Sequence, residues 1–367
     1  MIEGHGDDLH HYQGVAIRYN FSSNVPTIID HTALYRYLSE QLPLITSYPE
    51  PSPRSLEVSL AEQLGIAPEE VMVTNGATEA IYLVAHSLEG KHSAIFSPSF
   101  SEYADAAQLY HHTLSSFCQW PDAPQGAQAI WSGNPNNPTG QVIPKKELIE
   151  YIRKHPEQVF IFDQSYASFS PKEVLSAREA ISLGNVILVQ SLTKSFAIPG
   201  LRLGYLVSNS TTLGRIRALS HPWSVNTLAI EAGKWLLQNR ALYEGIEAQL
   251  LESSRTLRAK LSAFPWLSIV PTDTHFFIFH FEVSGITSAD LKEWLARERG
   301  ILVRDATNMG ALGIACIRVA SQGEEADQAL VDALRDWYLQ QTSKQPYHPS
   351  ASPTCPTSPP YSSLPRA

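Results

Sequence analysis

Short apolar runs alternate with helix-like segments over much of the chain, from about residue 70 to about residue 210. Five of these runs have the length of a single strand and lie at residues 71–74, 93–97, 129–132, 159–163 and 186–190. Runs this short and this apolar are typical of strands buried on both faces. Their alternation with helices predicts an α/β fold, with a mostly parallel sheet between layers of helices.

The chain after about residue 260 predicts a second, smaller unit of mixed α and β structure. Its apolar runs and helix-like segments follow one another at residues 267–270, 276–281, 288–298, 301–304, 316–320 and 324–340. We expect residues 48–260 to form a large domain and residues 261–341 a small α+β domain, which residues 1–47 complete. The segment 228–261 lacks proline and is rich in helix formers, which predicts one long helix leading out of the large domain.

Residues 342–367 differ in composition from the rest of the chain. They are rich in proline, serine and threonine and contain almost no aliphatic side chains. Such a segment cannot bury enough apolar surface to offset the entropy lost on ordering, so we expect a disordered tail.

Composition narrows the possible functions. The formal net charge of -9, without basic stripes, argues against nucleic acid or a membrane surface as partner and favours small molecules. No apolar run approaches the roughly 20 residues that span a bilayer, and the first residues lack the pattern of a signal peptide, so we expect a cytoplasmic protein. Cys118, Cys316 and Cys355 are widely scattered, which argues against a disulfide framework or a metal site.

One lysine, Lys194, lies at the end of a predicted buried strand, where α/β proteins commonly hold functional groups. Lys194 follows the apolar run 186–190 directly and lies among Ser191, Thr193 and several glycines. Polar loops at the ends of buried strands are where α/β proteins hold their sites. An amine held there can attack a carbonyl group if desolvation or nearby cations keep it neutral.

Three other segments after predicted strands carry polar groups of the same kind. The turn Thr74-Asn-Gly76-Ala77-Thr78 opens a helix, which suits either an anion or an ordinary helix cap. The loop Asn134-Pro-Asn-Asn137-Pro-Thr-Gly140 is fixed by its prolines. Asp163 ends an apolar run, where a buried carboxylate needs a cationic partner unless it caps a turn.

These motifs, in this order, resemble those of fold-type I pyridoxal-phosphate (PLP) enzymes, the class I and II aminotransferase family. The resemblance covers residues 1 to about 340. It implies the aspartate aminotransferase-like fold, a homodimer, and PLP as cofactor, bound as a Schiff base on Lys194.

The resemblance also implies roles for the motif residues. Asp163 would pair with the pyridinium nitrogen of PLP, while Asn137 and Tyr166 would contact its phenolic oxygen. Phe100 would stack on the ring, with Tyr103 as the alternative. The phosphate would be held by Gly76, Ala77, Thr78, Ser191, Thr193 and Arg202, and by Tyr48 from the neighbouring subunit.

Within the family, the chain is most similar to threonine-phosphate decarboxylases of cobalamin synthesis and to histidinol-phosphate aminotransferases. The segments Gly4-His5-Gly6-Asp7-Asp8, 20–24 and 222–226 favour the decarboxylases. Asp7 and Asp8 depart from the Gly-Asn of that pattern and add negative charge. An aminotransferase that needs a 2-oxo acid remains the alternative, and a non-catalytic PLP-binding regulator is a third reading, although no DNA-binding segment is evident.

The resemblance implies the substrate ligands as well. Arg318 would bind the substrate carboxylate, and Arg304 the same anionic end, unless it forms an ordinary ion pair within the protein. His5 and Asn24 would complete the site. The predicted substrate is therefore a small amino-acid phosphate.

Overall fold

The computed structural model describes residues 8–120, 124, 126–310 and 312–343. Within them the strands are β1 Tyr19–Asn20, β2 Val71–Thr74, β3 His92–Phe96, β4 Thr113–Phe117, β5 Ala129–Gly133, β6 Val159–Asp163, β7 Val186–Ser191, β8 Gly204–Val207, β9 Leu267–Ile269, β10 Phe276–Phe281, β11 Ile301–Leu302, β12 Arg304–Asp305 and β13 Cys316–Ala320. The α-helices are α1 Thr32–Gln41, α2 Arg54–Leu64, α3 Gly76–Ser87, α4 Glu102–Leu109, α5 Lys145–Lys154, α6 Ala177–Leu183, α7 Leu192–Ser195, α8 Ser210–Arg217, α9 Thr227–Gln238, α10 Ile246–Leu261, α11 Ser288–Arg299 and α12 Glu324–Thr342.

The larger sheet has seven strands in the order β2-β8-β7-β6-β5-β3-β4. Its neighbours pair in parallel except at β8, which is antiparallel to β2 and β7. Successive residues of β6 enter different apolar clusters: Phe160 packs on one face and Ile161 on the other. Both faces are thus buried under helices, which confirms the predicted α/β fold.

The smaller sheet is antiparallel, in the order β12-β13-β10-β9. Side chains of α10, α11 and α12, among them Leu257, Leu291 and Leu334, pack with Phe277 and Phe279 of β10 in one buried cluster. Its strands and helices begin close to the expected positions, except that the run 301–304 is divided. Ile301 and Leu302 pair with β1, whereas Arg304 pairs with β13.

The amino-terminal stretch is shared between the two cores. Tyr19 and Asn20 pair with β11, and Phe21 packs in the cluster of the smaller sheet. By contrast, Leu34 of α1 packs in the cluster of the larger sheet, where α1 contacts α9. This short segment therefore lies over the junction between the two sheets.

The prediction of one continuous helix over residues 228–261 was wrong. Helix α9 ends at Gln238, a 3-10 turn spans Arg240–Tyr243, and α10 starts at Ile246. Gly245 has φ +84°, a left-handed conformation that glycine adopts without a steric penalty and that interrupts an α-helix. The break gives the chain a turn between the larger sheet and the smaller one.

The described part of the chain ends just after the last helix, α12. Helix α12 extends to Thr342, the first residue of the segment expected to be disordered, while residues 344–367 lie outside the described residues. Among the described helices, none combines the length and apolar character needed to cross a bilayer.

Candidate active site

A cavity of about 620 Å³ lies at the carboxyl ends of β5, β6 and β7, where polar residues of both sheets meet. Polar residues that follow β5, β6 and β7 lie together there because the carboxyl ends of parallel strands lie at the same edge of the sheet. The residues predicted for the site that line this cavity are Ala77, Thr78, Phe100, Asn137, Asp163, Tyr166, Ser191, Thr193, Lys194, Arg202, Arg304 and Arg318. Residues far apart in sequence are therefore brought together around one cavity.

Four predicted residues are not among those that line the cavity. Gly76 and Asn24 lie directly behind its wall, in contact with Arg202 and Tyr166 respectively. Tyr48 is 87% exposed on the protein surface. His5 lies outside the described residues.

Lys194 is positioned by a single helical turn. It lies in α7, which follows β7 immediately, and its Nζ donates a hydrogen bond to the backbone carbonyl of Ser23 over 2.8 Å. Ser23 also lines the cavity. The amine thus reaches across from the larger sheet to the amino-terminal segment and is held at the cavity wall.

Asp163 is a buried carboxylate at the end of β6. One carboxylate oxygen accepts the backbone N–H of Ser165 over 2.9 Å, and the other accepts the hydroxyl of Tyr103 over 2.9 Å. Burial raises the pKa of Asp163 above its ordinary value, while these hydrogen bonds and the charge of Lys194 lower it. A cationic ligand in the cavity would therefore stabilise its ionised form.

The start of α3 forms a cradle for an anion. Gly76 has φ +83°, and a Cβ at this position would lie 2.4 Å from Nη2 of Arg202. A Cβ at Gly204 would similarly lie 2.5 Å from the backbone nitrogen of Ala77. Both glycines let a guanidinium group and a strand approach the first turn of the helix, whose N–H groups have no intrahelical acceptor.

Arg318 is wholly buried and oriented by the motif loop. Its Nη1 donates to Oδ1 of Asn137 over 2.7 Å, and its Nη2 donates to the carbonyl oxygen of Ser22. Burial lowers the pKa of Arg318 to about 10, which still leaves it cationic at neutral pH. Since Oδ1 of Asn137 faces the arginine, its amide nitrogen is the group that can donate to a ligand.

A second guanidinium group lies directly opposite the first. Arg304 of β12 is the cross-strand partner of Arg318 in β13 and is also buried. Its Nη2 donates to Asn308 over 3.3 Å, and its Nη1 lies 3.6 Å from a carboxylate oxygen of Asp8. Burial lowers the pKa of Arg304, and Asp8 raises it. Two buried cations at adjacent positions form a surface that can bind anions.

The two aromatic residues of the segment 98–103, Phe100 and Tyr103, make different contacts. The ring of Tyr103 stacks on Trp131 at 6.1 Å, and its hydroxyl is bonded to Asp163. Phe100 contacts Tyr103 edge to face at 5.8 Å and lines the cavity. The bond from Tyr103 to Asp163 was missed by the sequence reasoning, because nothing in the chain order shows that these side chains meet.

Tyr166 is buried beside Arg318 and accepts a hydrogen bond from the amide nitrogen of Asn24 over 3.3 Å. Burial raises the pKa of Tyr166, whereas Arg318 and Asn24 lower it.

His275, a buried neighbour of Tyr166, was not singled out by the sequence reasoning. It lies behind the tyrosine, with ring centroids 6.4 Å apart, and burial lowers its pKa to about 3, so it is neutral. Its position directly before the apolar run of β10 was the available signal.

Comparison with known proteins agrees with this arrangement. The model of the family "Aminotransferase class I and II" matches residues 20–334, which is most of the chain. The chain belongs to the class I and II aminotransferase family. Members of this family are PLP-dependent enzymes, and PLP is the cofactor of this chain.

Individual relatives in the class I and II aminotransferase family carry two different activities. The chain is 30% identical to the threonine-phosphate decarboxylase of Salmonella typhimurium, over 86% of this chain and 90% of that protein. It is 28% identical to a histidinol-phosphate aminotransferase of Thermoanaerobacter sp., over 80% and 85%. The crystal structure of the L-threonine-O-3-phosphate decarboxylase from Porphyromonas gingivalis superposes with a TM-score of 0.84 at 33% identity, covering 88% of this chain and 99% of that one.

The charged groups of the cavity suit PLP, the cofactor of the class I and II aminotransferase family. The cradle of Gly76 and Arg202 suits a phosphate, and buried Asp163 suits a cationic ring nitrogen. Lys194 lies on the same cavity wall. Within the described residues, no cluster of His, Cys, Asp and Glu suits a metal ion.

Proposed function

We propose that the protein decarboxylates L-threonine O-3-phosphate to (R)-1-amino-2-propanol O-2-phosphate. The observation that carries this proposal is the pair of buried guanidinium groups of Arg304 and Arg318, which line the cavity together with Lys194. A substrate that bears a carboxylate and a phosphate on either side of its amine supplies an anion for each arginine. The 30% and 33% identity to two threonine-phosphate decarboxylases supports this choice of substrate.

The cofactor would be held by the residues that surround the cradle and the floor of the cavity. Gly76, Ala77, Thr78, Ser191, Thr193 and Arg202 would bind its phosphate, and Phe100 would pack on its ring. Asp163 would keep the ring nitrogen protonated, and Asn137 and Tyr166 would donate to the phenolic oxygen. When bound, PLP withdraws electrons from the Cα bond that lies perpendicular to its ring.

The protein's own groups would select which bond breaks. Arg318 is fixed by Asn137 and Ser22, so it can hold the substrate carboxylate in one orientation. Loss of this carboxylate as CO₂ leaves its bonding electron pair at Cα, which must then take up one proton. Lys194 is the group at the cavity wall that can deliver that proton.

Transamination is the second candidate function, because the histidinol-phosphate aminotransferases are almost as similar to the chain. The same cofactor ligands would serve it, with Lys194 removing the Cα proton. Arg318 would then hold the carboxylate of an amino-acid substrate or the phosphate of histidinol phosphate, which has no carboxylate. The two reactions differ in their co-substrate, since only transamination consumes a 2-oxo acid such as 2-oxoglutarate.

We also propose that two chains form a homodimer in which Tyr48 reaches the cofactor phosphate of the neighbouring subunit. Tyr48 is 87% exposed and contacts Trp223, which is 50% exposed, with ring centroids 5.7 Å apart. Apolar side chains nearby in sequence, including Ile45 at 65%, are exposed as well. Exposed aromatic and aliphatic groups of this kind are typical of protein interfaces.

Product analysis of PLP-loaded protein tests the proposed activity. Given O-phospho-L-threonine without any oxo acid, the protein should release CO₂ and 1-amino-2-propanol phosphate in equal amounts. Histidinol phosphate with 2-oxoglutarate, assayed in parallel, should give no glutamate. Activity in the second assay alone would show an aminotransferase instead, and a Lys194→Ala variant should lose whichever activity is found.

A further inference from the structure

A buried carboxylate of the amino-terminal segment lies against the cations at one end of the cavity. Asp8 is 5% exposed, and its Oδ2 lies 2.7 Å from Nζ of Lys292 and 3.6 Å from Nη1 of Arg304. Its other oxygen is also buried and has no hydrogen-bond partner among the described residues. Asp8 therefore forms ion pairs to both cations with a single oxygen.

The segment that carries Asp8 is held in place by other contacts. Tyr12, in the 3-10 turn that follows Asp8, donates its hydroxyl to Glu293 over 3.0 Å. The ammonium group of Lys292 lies over the ring of the same tyrosine, 5.9 Å from its centroid. The turn is thus fixed on α11, and the position of Asp8 does not depend on its own ion pairs alone.

Asp8 lowers the positive charge available at this end. Arg304 lines the cavity, whereas Lys292 lies behind it in α11. Together these two cations would present a charge of about +2, and Asp8 reduces it to about +1. A phosphate dianion bound to Arg304 would thus meet a weaker field, whereas a carboxylate bound to Arg318 would feel Asp8 less, because the ion pairs of Asp8 are with Arg304 and Lys292.

We propose that Asp8 is a specificity-determining residue, an internal counter-ion that limits how tightly the site binds the second anionic group of its substrate. This proposal rests on the proposed function, because it takes the phosphate of the substrate to bind at Arg304. Moderate binding of the phosphate has a use: the product keeps the phosphate after CO₂ leaves, and tight binding would slow its release.

Charge neutralisation of Asp8 tests the proposal. In PLP-loaded Asp8→Asn, the dissociation constant of O-phospho-L-threonine should fall by about tenfold or more at low ionic strength, since one repulsive charge is removed a few ångströms from the phosphate. The dissociation constant of L-threonine, which lacks the phosphate, should change less than about twofold. Both are measured by titration of the visible absorbance of the bound cofactor and by calorimetry.

Two further variants separate this effect from a change in folding. Lys292→Met removes a cation from the same cluster and should weaken O-phospho-L-threonine binding, the opposite sign to Asp8→Asn. Glu298→Gln neutralises another exposed carboxylate on α11, one that takes no part in the contacts holding the turn of Asp8, and should leave the ratio of the two dissociation constants unchanged. Shifts of opposite sign cannot both arise from loosening of the amino-terminal segment.

The results also distinguish this proposal from the proposed function. Release of CO₂ with an unchanged ratio in Asp8→Asn would overturn the role of Asp8 alone. A tighter O-phospho-L-threonine complex without CO₂ release would overturn the decarboxylase and support Asp8. Absence of O-phospho-L-threonine binding in every variant, or equal weakening of both ligands in Asp8→Asn, would overturn the inference about Asp8.

Discussion

Tyr103→Phe should weaken cofactor binding, because it removes the hydroxyl that Asp163 accepts over 2.9 Å. The aromatic ring and its packing on Trp131 are kept, so the change is confined to one hydrogen bond. A hydrogen bond to a charged group contributes about 1.5–3 kcal/mol, and about 1.4 kcal/mol corresponds to a tenfold change in affinity. The same bond exists without cofactor, so only part of this free energy appears in binding, and we expect a PLP dissociation constant about tenfold higher.

The pH dependence of cofactor binding should change in a defined direction. Asp163 must be ionised to pair with a protonated ring nitrogen, and the hydroxyl of Tyr103 lowers its pKa. Without that hydroxyl the pKa of Asp163 rises further, so PLP affinity in Tyr103→Phe should be lost at a higher pH as the solution is acidified.

Fluorescence titration of the cofactor-free variants with PLP, from pH 5 to pH 8.5, measures both effects. The matched control is Tyr37→Phe, which breaks an equivalent 2.9 Å bond from a tyrosine to Glu231 outside the cavity. The reasoning is refuted if Tyr103→Phe binds PLP with wild-type affinity and pH profile, or if Tyr37→Phe weakens binding equally.

Three other substitutions test separate parts of the site. Gly76→Ala should displace Arg202 and strain a backbone with φ +83°. We expect inorganic phosphate to raise the melting temperature of the cofactor-free wild type but not that of this variant. Asp163→Asn should melt above wild type at pH 7 when both lack cofactor. Burial raises the pKa of Asp163, so wild-type stability declines as pH rises from about 3.9, and the difference should vanish near that pH. Arg318→Met should lower kcat/KM by about 100-fold or more while the visible absorbance of bound PLP persists; unchanged turnover would remove Arg318 from the substrate site.

The larger sheet and most of the residues that line the cavity were predictable because each depends on a local pattern. Apolar runs such as 159–163 show where a strand lies, and the polar residue that ends the run shows where its functional group emerges. Strands β4 and β8 were missed. The first, Thr113–Phe117, contains two serines and a threonine, and the second, Gly204–Val207, is a short strand that directly follows the lysine motif.

Contacts between distant segments could not be predicted in the same way. Lys194 bonds to Ser23 across 171 positions, and Arg318 to Asn137 across 181, so no local spacing reveals either pair. The charge of Asp8 was visible in the sequence as a departure from a resembling motif, but its ion pair with Lys292 spans 284 positions. Such pairs depend on how the amino-terminal segment and the smaller sheet are brought to the same cavity.

Product stoichiometry in the absence of an oxo-acid acceptor tests the central claim most directly. PLP-loaded protein is given a 50-fold excess of O-phospho-L-threonine with no oxo acid, and CO₂, 1-amino-2-propanol phosphate and oxo-acid products are counted per active site. The decarboxylase account predicts many equivalents of CO₂ and of the amine phosphate per site, with one solvent-derived hydrogen at Cα. At most one equivalent of an oxo acid per site, without CO₂, would contradict it and identify a transaminase.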